Sequence, residues 1–217
     1  MDARRVIVLL ALLLTGAGSP AFPQPPQSRA DALQALASAD AATRAEAVVW
    51  VANRGTMDDA RLLHERLRDE SGLVRSYAEQ GLWLLWSRSG DPDIDALMAR
   101  GIEAMQRGNH PQAIEIFSEV VRRKPEFAEG WNKRATVLYL AGEYRRSIAD
   151  CGEVLKRNPL HFGALSGLGQ IYTKLGRYED ALKWFRRALE VNPNMIGVEL
   201  SIEQLKALQR EKQNRTI

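Results

Sequence analysis

The sequence predicts an all-α fold, a right-handed solenoid of helix-turn-helix repeats. Three observations predict it. Residues of like kind recur every 34 positions through the C-terminal half. A second recurrence, of 31 positions, precedes it. The apolar residues of both stretches keep helical spacing. Composition agrees: 45% hydrophobic and 26% charged residues in a 217-residue chain are ordinary for a soluble globular protein and exclude a fully disordered one. The net charge of +3 comes without basic residues clustered on one face, so it does not argue for nucleic acid.

The first element is a targeting segment, residues 1–21. Arg4 and Arg5 precede the apolar run Val6–Leu14, and small residues follow from Thr15 to Ala21. A positive start, a short apolar core and a small-x-small end form the secretory signal pattern. Cleavage is expected after Ala21, with Ala17 and Ser19 as alternatives. The apolar core has nine residues, whereas a spanning helix needs roughly 20, so no stable membrane anchor is expected after cleavage. The mature chain is expected in the periplasm or secreted. Residues 22–29 open with FPQPPQ, a stiff extended linker.

Residues 30–90 carry the shorter repeat. Leu36 and Leu67, Arg44 and Arg75, Ala47 and Ala78, and Val51 and Leu82 are each 31 apart. A leucine, an acidic turn and an arginine followed three residues later by alanine resemble the HEAT-like repeat. The arginines are expected to bind carboxylates or backbone groups at the preceding turns, with Asp40 and Asp69 as the acidic partners. Two copies are few for a solenoid. The segment is therefore expected to pack on the first hairpin that follows, with Trp83 and Trp86 filling the junction.

Residues 91–193 carry three copies of the longer repeat. Pro125, Pro159 and Pro193 share the 34-residue spacing, as do Gly108, Gly142 and Gly176. Gly101, Ala135 and Gly169 form a small column, and Ala113, Ser147 and Ala181 another. Phe117, Cys151 and Phe185 form a larger one. Small residues let the two helices of a hairpin approach. The glycines end first helices, where a positive φ is cheap. The prolines end second helices. Leu97, Ala104, Phe117 and their equivalents lie on faces that only stacking can cover.

These columns resemble the tetratricopeptide repeat. The third copy, LSGLGQIYTKLGRYEDALKWFRRALEVNP, follows the family pattern almost throughout. The second departs at Arg134, Ser147 and Cys151, and the first at Arg100 and Ala104. Residues 194–217 break the pattern at Glu199 and Glu203 and resemble the single helix that caps such arrays. Ile196, Leu200, Leu205 and Leu208 are expected to cover the last hairpin.

Catalytic chemistry has little to build on. A lone cysteine, Cys151, excludes an intramolecular disulfide, and its column places it in a helix–helix core. His64 lies in a charged helix and is expected to be solvated; His110 and His161 lie near loops. Acidic clusters such as Asp91, Asp93 and Asp95 suit helix starts. No Gly-rich phosphate loop is present. Neither a catalytic residue, nor a metal site, nor a cofactor is expected, and the chain reads as a non-enzyme.

The resemblance implies a concave groove lined by the first helices of the hairpins, where a partner peptide or helix binds. The register assigns Met98, Ile102 and Met105 from the first copy, Asn132, Thr136 and Tyr139 from the second, and Ser166, Gln170 and Thr173 from the third. Tyr139 and Asn132 are the expected centres of binding. The carboxylate clamp of some family members is missing, since its positions hold Met98, Ile102, Lys133, Ser166 and Gly167. The expected function is a protein-interaction scaffold of the periplasm or cell envelope that binds a protein or peptide. The alternative is a structural subunit of an envelope assembly, docked through residues 30–90.

Overall fold

The computed structural model describes residues 25–215, and the predicted signal segment lies outside them. Among the described residues there are eleven α-helices, one 3-10 turn and no strand. Helices α1 (Arg29–Ala35), α2 (Ala41–Arg54), α3 (Ala60–Arg66) and α4 (Gly72–Trp86) form the N-terminal segment. The hairpins follow as α5 (Pro92–Gln106) with α6 (His110–Arg123), α7 (Ala128–Leu140) with α8 (Tyr144–Arg157), and α9 (Phe162–Lys174) with α10 (Tyr178–Val191). Helix α11 (Ile196–Arg215) ends the array. Each helix packs on its hairpin partner, and each hairpin on the next, through α6 on α7, α8 on α9 and α10 on α11. The result is an α-solenoid.

Helix ends are set by local chemistry. Asp91, Asn109 and His161 each accept a backbone N–H of the first turn of α5, α6 and α9. Gly108, Gly142 and Gly176 end the first helices with φ of 74°, 77° and 70°. The residue after each returns its N–H to the helix, as Asn109 does to the Ala104 carbonyl at 2.9 Å. That is the left-handed stop that reverses a chain in few residues.

Within each hairpin the small column meets the large one. A Cβ at Gly101 would stand 2.6 Å from the ring of Phe117. Gly169 faces Phe185 in the same way, more closely still. The second copy departs from the pattern and compensates. Ser147, in place of alanine, is buried and donates to the Ala135 carbonyl at 2.7 Å. Arg134 forms a bidentate pair with Asp150 across the hairpin, at 2.7 and 2.8 Å. Its guanidinium and that of Arg157 lie over the Trp131 ring, 5.0 and 4.7 Å from the ring centroid. Cys151 is buried, and burial, with Asp150 beside it, pushes its thiol up to about 12.

The N-terminal segment is two helix pairs offset by 31 residues, since α1 and α3 start at Arg29 and Ala60, and α2 and α4 at Ala41 and Gly72. Arg44 joins them. It grips the Ser38 and Ala39 carbonyls of its own turn and both carboxylate oxygens of Asp69 in the next. Asp40 is not its partner; that carboxylate caps α2 through the N–H and hydroxyl of Thr43. Arg75 repeats the grip on the Asp69 and Glu70 carbonyls. Where a third acidic turn would stand, it meets Asn194 Oδ1 at 2.9 Å, and Asn194 donates in return to the Leu67 carbonyl.

That contact corrects the expected docking. The segment does not stack on the α5–α6 hairpin. Instead α4 lies along the turns that join successive hairpins, reaching Asn194 near its start and His161, Phe162 and Gly163 near its end. Arg68 reinforces this by donating to the Glu190 and Val191 carbonyls. The capping helix also differs from expectation. Val198, Ile202 and Leu205 cover the last hairpin, while Ile196, Leu200 and Leu208 point outward.

The packing yields a stability test. Gly169→Leu drives a side chain into the Phe185 ring and should cost on the order of 1–3 kcal/mol or more, read as a lowered Tm. An unchanged Tm would contradict the hairpin contact.

Candidate functional site

The nine residues of the predicted groove fall into three groups. Thr136 and Gln170 are exposed, one repeat apart on the first helices α7 and α9. Ile102, Met105, Tyr139 and Thr173 are half-buried beside them. Met98, Asn132 and Ser166 are buried. Those three present no open surface, for identifiable reasons. Met98 belongs to the core of the first hairpin with Ile94, Phe117 and Val120. Ser166 donates to the Gly163 carbonyl of its own helix. Asn132 donates to the Glu129 carboxylate at 3.0 Å. Tyr139 packs between hairpins, against Tyr144 and near the Ala135, Cys151 and Leu168 cluster. Thr136 and Thr173 return their hydroxyls to their own helices. What stays accessible on the first helices is thus apolar in the first copy, at Ile102 and Met105, and polar in the next two, at Thr136 and Gln170.

Where the starts of α7 and α9 meet α4 lies a cluster that sequence reasoning missed. Glu129 and His161 are both fully buried, 3.1 Å apart between Oε2 and Nε2. His161 Nδ1 accepts the Ala164 N–H at 3.0 Å, capping α9. That bond assigns the imidazole proton to Nε2, which donates to Glu129. Lys133 Nζ stands 3.0 Å from the other carboxylate oxygen. The indole of Trp86 stacks on the imidazole with centroids 4.4 Å apart and planes at 24°. Trp83 meets His161 and Phe162 edge-on.

Burial works against the charge of Glu129. The His161 hydrogen bond and the Lys133 ammonium outweigh it and hold the carboxyl down at about 2. His161 is thus a buried structural residue at the loop end that caps α9. His64 is likewise half-buried against Val191, and burial and Arg68 lower its pKa. Lys133 is committed to Glu129, which removes a cation from the groove. The signal for the cluster was present in the repeat register. Glu129 shares its column with Asp95, Gly163 and Gly197, and a large acid where the later copies have glycine needs partners. Among the described residues no group of three or more histidine, cysteine, aspartate or glutamate side chains is placed to hold a metal ion.

Comparison with known proteins agrees with this geometry. Profiles of the tetratricopeptide repeat match residues 98–151 and 163–195. The hairpins are tetratricopeptide repeats. A TPR repeat-containing protein of Rhizobium etli is 38% identical over 110 residues, which cover 51% of this chain and 54% of the relative. Anaphase-promoting complex subunit 3 of Schizosaccharomyces pombe is 31% identical over 91 residues, 42% of this chain and 14% of that protein. The chain thus spans about half the length of the first relative and far less of the second. Among solved structures, the first TPR of Spaghetti (RPAP3) bound to an HSP90 peptide has a TM-score of 0.52 at 20% identity, covering 54% of this chain and 93% of that one. The Sgt2 TPR domain of Aspergillus fumigatus has 0.53 at 22%, covering 58% and 83%. At these identities the likeness is one of fold.

The cluster makes stability depend on acid. Glu129 is ionised in the folded state down to about pH 2 and only above about 4.5 when unfolded. The contribution is therefore present above pH 4.5 and lost as pH falls toward 2, amounting to about 3 kcal/mol. Glu129→Gln should cost about 3–5 kcal/mol at neutral pH and flatten that part of the acid dependence. Urea unfolding of both proteins between pH 2 and 7 measures it, and parallel curves would contradict the assignment.

Proposed function

We propose that the chain is a non-enzymatic interaction module that holds a peptide or helix of a partner protein on the concave side of its tetratricopeptide array. The observation that carries this is the open row on the first helices, where Thr136 and Gln170 are exposed and Ile102, Met105 and Tyr139 are partly so. A floor with apolar and amide-bearing ends suits a segment that offers both side chains and backbone groups. The solved array of similar fold that carries an HSP90 peptide lends support to the mode of binding. The buried Met98 and the paired Lys133 do not favour the same ligand.

Export is part of the same reading. It rests on Arg4-Arg5, the short apolar run and the small residues before Phe22. No helix of the described residues is long and apolar enough to cross a membrane. The N-terminal residue of the mature protein should be Phe22 or lie within a few positions of it, by Edman degradation or mass spectrometry. An intact Met1 on the soluble cytosolic protein would contradict export. The N-terminal helix pairs are read as HEAT-like repeats on their 31-residue offset and the Arg44 grip.

A second reading has one observation in its favour. Leu73 and Tyr77, one turn apart on α4, are 50% and 36% exposed. They offer an apolar contact on the HEAT-like segment for a larger assembly.

Thr136→Arg and Gln170→Arg separate the two. Both positions are exposed, so Tm should not move. Affinity for a partner recovered by crosslinking in the exported fraction should fall by about tenfold or more, because interface energy concentrates in few contacts. Undiminished binding by both folded variants would contradict the groove, and its loss on Tyr77→Asp would favour the second reading.

A further inference from the structure

The junction between the N-terminal segment and the array holds a cavity lined from both sides. Its volume is about 90 Å³. That is room for a few waters or one small organic anion. Trp86 and Phe127, both buried, give it apolar walls. Arg88 enters from the segment side, and Asn158 and Arg157 from the array side.

Its polar groups are mostly donors. Asn158 accepts the Leu160 N–H with Oδ1, but its Nδ2 is buried and has no partner. A buried donor left unpaired is destabilising, so this amide favours an acceptor in the cavity. Arg88 donates to the Gly55 and Ala52 carbonyls and pairs with no carboxylate among the described residues. Burial lowers its pKa, which marks the charge as poorly solvated. Arg157, by contrast, is already paired with Glu153 at 2.6 Å. Glu126, at the exposed side, stands 3.6 Å from Lys124. Among the described residues Arg88 is therefore the lining cation without a carboxylate partner. The first turn of α7, whose Ala128 also lines the cavity, receives no side-chain cap from Phe127.

We propose that this cavity is a binding site for a small organic carboxylate, held by Arg88 and the Asn158 amide between the Trp86 and Phe127 rings. The single uncompensated charge matches a monoanion better than phosphate. The aromatic walls favour a carboxylate that carries an apolar group. Because the two sides of the cavity come from different parts of the chain, an occupied site ties the N-terminal segment to the array. Ligand binding to the folded state then stabilises it by mass action.

The test uses the full mature chain with sodium propionate, sodium phosphate and sodium chloride at matched ionic strength. Propionate should bind saturably by calorimetry and raise Tm, and phosphate should bind more weakly. Asn158→Asp keeps the acceptor for Leu160 N–H and replaces the free donor with a negative oxygen. It should weaken propionate by about tenfold or more without altering the far-ultraviolet spectrum. As a check independent of any variant, labelled propionate on the unaltered protein should show NMR contacts to the Trp86 and Phe127 rings. Propionate no better than chloride, tighter binding of phosphate, an undiminished affinity in Asn158→Asp, or absence of the ring contacts would each overturn the site.

Discussion

The Glu129 carboxylate has no access to water, and the arrangement of the molecule follows from how it is held. A buried charge is tolerated only with its hydrogen-bonding and charge partners in place. His161 supplies one from the third hairpin and Lys133 another from the same helix. The imidazole can donate to Glu129 only because its other nitrogen caps α9. Trp86 then closes the face of the imidazole. The second hairpin, the third hairpin and the N-terminal segment thus meet at one ring.

That meeting explains why α4 runs along the turns between hairpins. The end of α10 and the turn after it offer oxygen acceptors, and the segment brings arginines to them. Arg68 takes the backbone carbonyls of Glu190 and Val191, and Arg75 takes the side-chain Oδ1 of Asn194. The same arginine position, at Arg44, ties the two helix pairs of the segment to each other through Asp69. One chemical device is therefore used twice, once within the segment and once to dock it. The docking leaves the Thr136–Gln170 row open while it covers the starts of α7 and α9. It also creates the donor-rich cavity beside Arg88.

Much of the array was legible in the sequence, because its determinants are local and periodic. Gly108, Gly142 and Gly176 announce positive φ, and the Gly101–Phe117 and Gly169–Phe185 pairs announce close helix contact. The departures at Arg134 and Ser147 were visible as exceptions, and their partners Asp150 and the Ala135 carbonyl complete the explanation. The docking was not legible. It joins Trp86 to His161 and Arg75 to Asn194 across long stretches of chain, and no period links them. The first-helix positions were legible in register but not in exposure. Position on a helix identified Met98, Asn132 and Ser166, whereas burial depends on neighbours such as Glu129. Likewise the helical pattern of residues 196–208 showed an apolar helix, but only packing decided that Val198 and Ile202 turn inward and Leu200 outward.

The central claim is that the N-terminal segment is held on the third hairpin through Trp86 and His161. A double-mutant cycle measures that contact directly. Trp86→Leu removes the stacked indole, and His161→Asn keeps a capping side chain while removing the imidazole. Unfolding free energies of the two single variants, the double variant and the unaltered protein give the coupling. A coupling of about 1 kcal/mol or more is expected, within the range seen for residues in contact. Additive effects within about 0.3 kcal/mol, as found for distant sites, would contradict the edge-docked arrangement.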